Sequence, residues 1–539
     1  MGSPTTVNQV EHAASMSDAN LGLVIQQQEK NRTWTQALRK DPRLLFWCGV
    51  MLWTLIVRGF ESQASGSVVS IPSFKRQFGE QDASSPSGAY FISTRWLSAL
   101  SGGASGASIA GSWAGSYLAD RVGTRTTLVG FACLNVASVG VEFAATSVGM
   151  YFGGKMANVV AVGAFLTVCT SYVSDVAPLA ARATLIGFCN LAQCIGPLLA
   201  AVMANYTAAW DTAWAWKAII AAQWGFGGAA LVGHVFMPES PVNLVTRGKI
   251  DTARHSLRRL YTDPRDAEGH LRRIMLTLDE AENGGARNSS SYADCFRGTN
   301  LRRTLIAILV FLAEPMSGLG FVSNYGALMY QYLDYSDAQS FRLQIGAQVL
   351  SISGAAIALL VSDFWGRRPM FIAGCAGLCL LLICMAVSGI FATRAAVTAS
   401  VGFYTMFNFF YNVGVGSTVY AIAGEVPTSL LRPKTLAVAI SISSAFNTFW
   451  SFVSPYMFNP DYGNLKAKIG FVFGAIMFLF IILGFFFVPE TRLRSYAELD
   501  ELFINRVPTR QFRAYVTVTE QRATEAYDEE TKTDKGDAA

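Results

Sequence analysis

Twelve stretches of this chain are each about as long as a bilayer's hydrocarbon core is thick and carry almost no charge. They are residues 44–67, 96–117, 126–147, 149–174, 183–206, 215–236, 304–331, 342–362, 369–391, 396–423, 433–457 and 468–488. A helix needs about 20 apolar residues to cross that core. Backbone groups in lipid must bond within their own segment, and helices of this length do so. Composition agrees: 52% of residues are hydrophobic and only 15% charged, against about 25% charged in soluble domains. The reading is an all-α membrane protein with twelve transmembrane helices.

Several function classes fall away. The net charge of +5 is small, and no basic run outside one loop would suit a nucleic acid. Eight of the nine cysteines fall in apolar stretches and none has metal-pair spacing, so they read as small packing residues. The four histidines are scattered. Neither a metal nor another cofactor is expected, and no nucleophile–base set suggests an enzyme. Residues 1–43 are polar and end in Arg32, Arg39, Lys40 and Arg43. They read as a cytosolic tail before a first span that stays in the membrane, without a cleavable signal.

Basic residues set the orientation. Arg121, Arg125, Arg182, Arg367, Arg368, Arg432 and Lys434 lie in alternate loops, and the 238–303 connector holds twelve Lys and Arg. The opposite loops are poorer, although Lys75, Arg76, Arg95, Lys466 and Lys468 lie there. The positive-inside rule places both termini and the connector in the cytosol.

Three motifs recur at nearly one offset. Asp120-Arg121-Val122-Gly123-Thr124-Arg125 returns as Asp363-Phe364-Trp365-Gly366-Arg367-Arg368, 243 residues later. Asp175 and Arg182 return as Glu425 and Arg432 at an offset of 250, with Pro178 answered by Pro427. Pro238-Glu239-Ser240 returns as Pro489-Glu490-Thr491 at 251. The expected organisation is a tail (1–43), a six-helix bundle (44–237), a connector (238–303), a second six-helix bundle (304–488) and a C-terminal tail (489–539). Parallel repeats of this kind occur in transporters.

With these motifs in order, the chain resembles the sugar porter family of the major facilitator superfamily over about residues 32–510. The matching pieces are Gly115-Ser116-Tyr117-Leu118-Ala119-Asp120-Arg121-Val122-Gly123, Pro238-Glu239-Ser240-Pro241, Gly366-Arg367-Arg368-Pro369 and Pro489-Glu490-Thr491. Asn459-Pro460 and Tyr496-Ala497-Glu498-Leu499-Asp500-Glu501-Leu502-Phe503 are similar to the fungal branch that includes maltose and other α-glucoside permeases. The resemblance implies the major facilitator fold and alternating access around a midplane site. Asp120, Arg125, Asp175, Arg182, Glu239, Asp363, Arg367, Glu425, Arg432 and Glu490 are then gating residues, whose acid-to-arginine bonds at the cytosolic helix ends hold the bundles together while the cavity opens outward.

Ionisable residues inside spans are costly and mark function by default. Glu61 lies toward the outer end of span one and Lys155 in the outer half of span four. The resemblance makes them the acid and cation of a proton switch: a carboxylate near Lys⁺ loses support when the cation moves. The bland alternative is a static pair of Glu61 with Arg58, one turn away. Lys155 stands where relatives usually have Arg, which keeps the charge but not the forked geometry. The substrate-binding expectation is Asn190, Glu314, Asn324, Tyr420 and Asn447. Asn190 takes a position where many relatives have Gln. Glu314-Pro315 replaces a Gln-Gln pair that would serve a hexose, so Glu314 would bind an amine or carry a proton. Equally, spans use such amides as interhelical contacts. The sequon Asn205-Tyr206-Thr207 lies too near a helix end for ready glycosylation, and Asn288-Ser289-Ser290 falls in the cytosolic connector. Residues 520–539 read as a disordered polar tail.

The leading expectation is a monomeric secondary active transporter of the plasma membrane, carrying a sugar or sugar-like polar solute with a proton. The alternatives are a transporter or exporter of a non-sugar metabolite and a non-transporting nutrient receptor, against which the short C-terminal tail argues.

Overall fold

The computed structural model describes residues 40–81, 90–283, 292–333, 335–391, 393–428, 431–459, 462–492, 494 and 496–517; for 179–183, 276–283, 332, 362–364, 433, 496 and 497 it describes the backbone alone. The sequon at Asn288 and the tail from 520 lie outside the described residues, as do Pro460 and the side chains of Arg182 and Asp363.

In chain order the helices are α1 (Pro42–Ser70), α2 (Pro72–Phe78), α3 (Thr94–Val122), α4 (Thr124–Phe143), α5 (Val148–Val176), α6 (Leu179–Thr207), α7 (Trp214–Phe236), α8 (Pro241–Thr246), α9 (Ile250–Leu260) and α10 (Pro264–Asn283). They continue as α11 (Gly298–Met316), α12 (Leu319–Tyr332), α13 (Asp337–Trp365), α14 (Arg367–Ser388), α15 (Arg394–Tyr411), α16 (Ser417–Glu425), α17 (Arg432–Phe458), α18 (Ile469–Phe487) and α19 (Tyr496–Ile504). Glu80–Gln81 and Tyr90–Phe91 form one short antiparallel pair. Among the described residues, those within 1–288, 323–352 and 451–456 form one compact unit, and those within 289–322, 353–450 and 457–539 the other.

Ten helices among the described residues are long and apolar enough to cross a membrane. The other two expected spans also fall on helix. Residues 96–117 lie inside α3, where Gly and Ser dilute the apolar content. Residues 396–423 run through α15, a π-helical turn at Asn412–Gly416, and α16. The fold is an all-α membrane fold.

Local sequence sets the breaks. Pro42 sits in the first turn of α1, where its missing N–H costs nothing. Ile71 is extended (φ −74°, ψ 131°) because Pro72 follows and disfavours helix before it. The expected span 304–331 is two helices. Pro315 and Gly318, the latter at φ +84°, end α11 and separate it from α12. In the first unit α1 and α6 approach at two glycines. A Cβ on Gly59 would strike the Gln193 carbonyl, and one on Gly196 the Ile56 carbonyl. Small residues of this kind let membrane helices meet at backbone distance. Asn205 lies in the last turn of α6, and the hydroxyl-bearing Thr207 of its sequon is buried.

Candidate functional site

The repeated motifs build the same device once in each unit. In the first unit Gly123 breaks the chain between α3 and α4 with φ +116°. The Glu239 carboxylate then caps the start of α4: Oε1 accepts from the backbone N–H of Thr124 at 2.6 Å, and Oε2 from that of Arg125 at 3.2 Å. In the second unit Gly366 breaks the chain before α14 with φ +92°. There Glu490 Oε1 accepts from the Arg367 N–H at 3.0 Å. A carboxylate at a helix start satisfies orphan donors and complements the helix dipole. The acids therefore meet backbone amides, where guanidinium partners were expected. The Arg125 guanidinium instead donates to the Val235 carbonyl.

The remaining expected gating residues are placed as follows. Ser240 Oγ donates to Asp175 Oδ2 at 2.9 Å. Arg367 Nη2 lies 3.5 Å from Glu425 Oε1, an acid–arginine bond within the second unit. Arg432 is half-buried, and Asp120 is exposed with its backbone carbonyl accepting from Arg247 at 2.6 Å.

At the other end of the first unit, Glu61 of α1 and Lys155 of α5 form an ion pair with both side chains buried. Arg58 donates to Gln193 Oε1 at 2.7 Å, so Glu61 takes Lys155 as its cation. Around this pair lie polar residues that sequence reasoning passed over. Asn158 Nδ2 donates to Glu142 Oε1 at 2.9 Å and to Gln223 Oε1 at 3.0 Å, and Asn135 Nδ2 donates to Asn158 Oδ1 at 2.6 Å. All are buried. Glu142 was open to discovery by the rule that picked Glu61, being an ionisable residue inside an expected span.

A second overlooked feature in this unit is a ladder of amides along α1. Gln348 donates to Gln63 at 2.8 Å, and Ser67 donates to Gln344 at 3.4 Å. At its outer end, Lys75 of α2 donates to Gln331 Oε1 at 2.8 Å, while Gln331 donates to Asp337 at 2.8 Å. Burial holds the Lys75 ammonium below the ordinary lysine range, with the Asp337 carboxylate opposing that shift.

The expected substrate residues divide between the units. Asn190 and Asn324 belong to the first, Glu314, Tyr420 and Asn447 to the second. Asn190, Glu314, Asn324 and Asn447 are half-buried. The Asn324 backbone packs where a Cβ on Gly66 would be. In the second unit, α11 and α17 run in register. Ser443 Oγ donates to the Phe311 carbonyl at 3.0 Å, and Trp450 Nε1 reaches Met316 Sδ at 3.4 Å. Glu314 and Asn447 lie between these two contacts along their helices. Tyr420, 58% exposed, sets its ring edge-on to Phe311 at 5.2 Å.

Many membrane-crossing helices, broken spans, a buried acid–cation pair and half-buried mid-span polar groups define a multi-pass membrane transporter. Residues 47–503 match the family model "Sugar (and other) transporter", and the chain belongs to that family. It is 27% identical over 521 residues to the general alpha-glucoside permease of Saccharomyces cerevisiae, covering 95% of this chain and 82% of that one. It is 27% identical over 528 residues to the MFS transporter fmqE of Aspergillus fumigatus, covering 94% and 96% respectively. The inward-open xylose transporter XylE from E. coli superposes with a TM-score of 0.68 at 20% identity, covering 85% of this chain and 99% of that chain. The fold is thus the major facilitator fold.

Proposed function

We propose that this protein is a proton-coupled symporter of a sugar or sugar-like solute, working by alternating access between two six-helix repeats. The buried Glu61–Lys155 pair carries the coupling reading. A carboxylate paired in a dry core binds a proton only when its cation withdraws, which links protonation to movement of α1 against α5. The sugar reading is supported by the alpha-glucoside permease relatives. The gating acids and arginines, Asp120 to Glu490, would hold the cytosolic helix ends. The substrate would meet Asn190, Glu314, Asn324, Tyr420 and Asn447. Both termini would be cytosolic, in a monomer of the plasma membrane.

Transport of a non-sugar metabolite is favoured by one observation. Glu314 puts a half-buried carboxyl inside an expected span, where an ammonium-bearing solute would find a partner. Uptake into proteoliposomes of labelled α-glucosides, hexoses, polyols and amines, with and without an inward proton gradient, tests both. Sugar accumulation that collapses with the gradient supports symport. Gradient-independent equilibration replaces it with facilitated transport, and uptake of amines alone replaces the sugar.

A further inference from the structure

The buried cluster beside Glu61 contains one charge too many. Lys155 is ion-paired with Glu61 and acts electrostatically on Glu142 as well, without forming an ion pair to it. All three residues are 1% exposed or less. Glu142 Oε1 accepts from Asn158, but Oε2 has no hydrogen-bond partner. The space is closed: a Cβ on Gly154 of α5 would lie 2.9 Å from the Glu142 backbone nitrogen and 3.0 Å from its Cγ. Around this cluster, α1 brings Glu61 and, one turn away, the half-buried Arg58, which donates to Gln193, and α5 brings Lys155 and the buried Tyr151 hydroxyl. From α7, Lys217 faces the ring of Phe143 at 5.1 Å rather than Glu142, and Arg95 at the start of α3 is exposed. Lys155 is therefore the one cation buried with these two carboxylates among the described residues.

Two ionised carboxylates on one ammonium would leave a net negative charge in a dry core, costing several kcal/mol. We infer that Glu142 is a second proton-binding carboxylate, which shares Lys155 with Glu61 so that the triad holds one proton at neutral pH. Lys155 pairs with whichever carboxylate is ionised, and the other keeps the proton. As the ammonium moves from Glu61 toward Glu142, the proton on Glu142 is released and Glu61, left without its cation, takes one up. The coupling consequence rests on the symport reading above; the proton count does not.

Infrared spectroscopy of the purified protein at neutral pH tests the count, through the carbonyl stretch of protonated carboxylic acids. Relative to wild type, Glu142→Gln should lose one carboxylic-acid equivalent. Glu61→Gln should lose one as well, because Glu142 then becomes the only partner of Lys155. Lys155→Met should gain one. An undiminished band in Glu142→Gln overturns the inference, and so does one undiminished in Glu61→Gln, which would mean that Glu142 stays protonated without reference to Lys155. Should Glu142→Gln fail to fold, Asn158→Ala removes the donor on Oε1 and should shift the same band; a spectrum superposing on wild type overturns the inference. If Glu61→Gln still accumulates solute uphill, the symport reading fails while the infrared count stands or falls alone.

Discussion

The carboxylate of Glu239 occupies the space that a side chain on Gly123 would need: a Cβ there would lie 2.8 Å from Oε2. Glu490 stands in the same relation to Gly366, at 2.6 Å. Both glycines also have backbone angles, φ +116° and +92° with ψ 153° and 161°, that essentially only glycine adopts. Each position therefore carries two independent requirements for the same residue.

Gly123→Ala and Gly366→Ala should each destabilise the protein by about 1–3 kcal/mol from backbone strain alone, and further by displacing the capping carboxylate. Gly130→Ala and Gly153→Ala are the controls, since both lie in helices with open space beside them. They should leave stability unchanged or raise it by up to about 1 kcal/mol. Thermal denaturation in detergent separates the pairs. Equal shifts at all four sites would mean that the caps contribute nothing special.

Removing Lys155 while keeping both carboxylates takes away the cation that keeps one of them ionised, so the buried carboxylate must take up a proton at a cost in stability. Lys155→Met should lose uphill accumulation and destabilise the protein by about 3–5 kcal/mol. Adding Glu61→Gln should restore part of that stability but not the accumulation. Glu61→Gln alone should abolish accumulation and retain some solute exchange, because the amide keeps the shape without the titrating group. Non-additive melting shifts across this cycle are the signature of a coupled pair. Purely additive shifts, or accumulation at wild-type level in Glu61→Gln, would remove the pair from the coupling role.

A pH effect is expected in the connector. Arg254 Nε and Nη2 donate to the two oxygens of Glu268 at 3.0 and 3.3 Å, a two-pronged bond joining α9 to α10. That hydrogen bond holds the Glu268 carboxyl below the ordinary glutamate value of 4.5. A carboxyl whose pKa is lower folded than unfolded stabilises the fold above the unfolded value. That contribution fades as pH falls through the folded one. The pair is half-buried and still screened by solvent, so the effect is small. Amide exchange in α9 and α10 should be slower in wild type than in Glu268→Gln at neutral pH, with the difference closing in acid below 4.5. A difference independent of pH would assign it to packing instead.

The fold was legible because lipid enforces one rule on every span, and the offsets between Asp120, Asp175 and Pro238 and their second copies exposed the repeat. The positions of Glu239 and Glu490 were legible, but their partners were not. Charge pattern suggests guanidinium groups, whereas a carboxylate beside a glycine break can cap a helix, and only coordinates separate the two. Glu61 and Lys155 meet as the family resemblance implied. Glu142 was legible as an ionisable residue inside an expected span and was passed over, whereas Asn158 and Gln223 escaped because their significance lies in convergence from different helices, which no spacing along one helix reveals. The amide ladder from Gln63 to Gln348 escaped for the same reason: its partners are 285 residues apart.

Glu314 is the sharpest test of the substrate reading. It lies one helical turn, about 5.4 Å, beyond Phe311, where the Tyr420 ring and the Ser443 hydroxyl both make contact. Just after it, Gly318 at φ +84° ends the helix, so the carboxyl sits beside a break where backbone need not be shielded as in a continuous span. Broken helices of this kind line cavities in transporters. A carboxylic acid there can donate to a sugar hydroxyl when protonated, or pair with an ammonium when ionised. Glu314→Gln distinguishes these roles, because the amide keeps a donor and loses the charge. Sugar uptake should survive within about tenfold, the equivalent of one neutral hydrogen bond at about 1 kcal/mol. Uptake of a cationic solute, if that is the substrate, should fall by about 10-fold to 100-fold, as expected for a charged hydrogen bond of about 1.5–3 kcal/mol. Initial uptake rates against concentration, measured for both solute classes in the same proteoliposomes, read the two outcomes directly. Unchanged kinetics for every transported solute would take Glu314 out of the binding site.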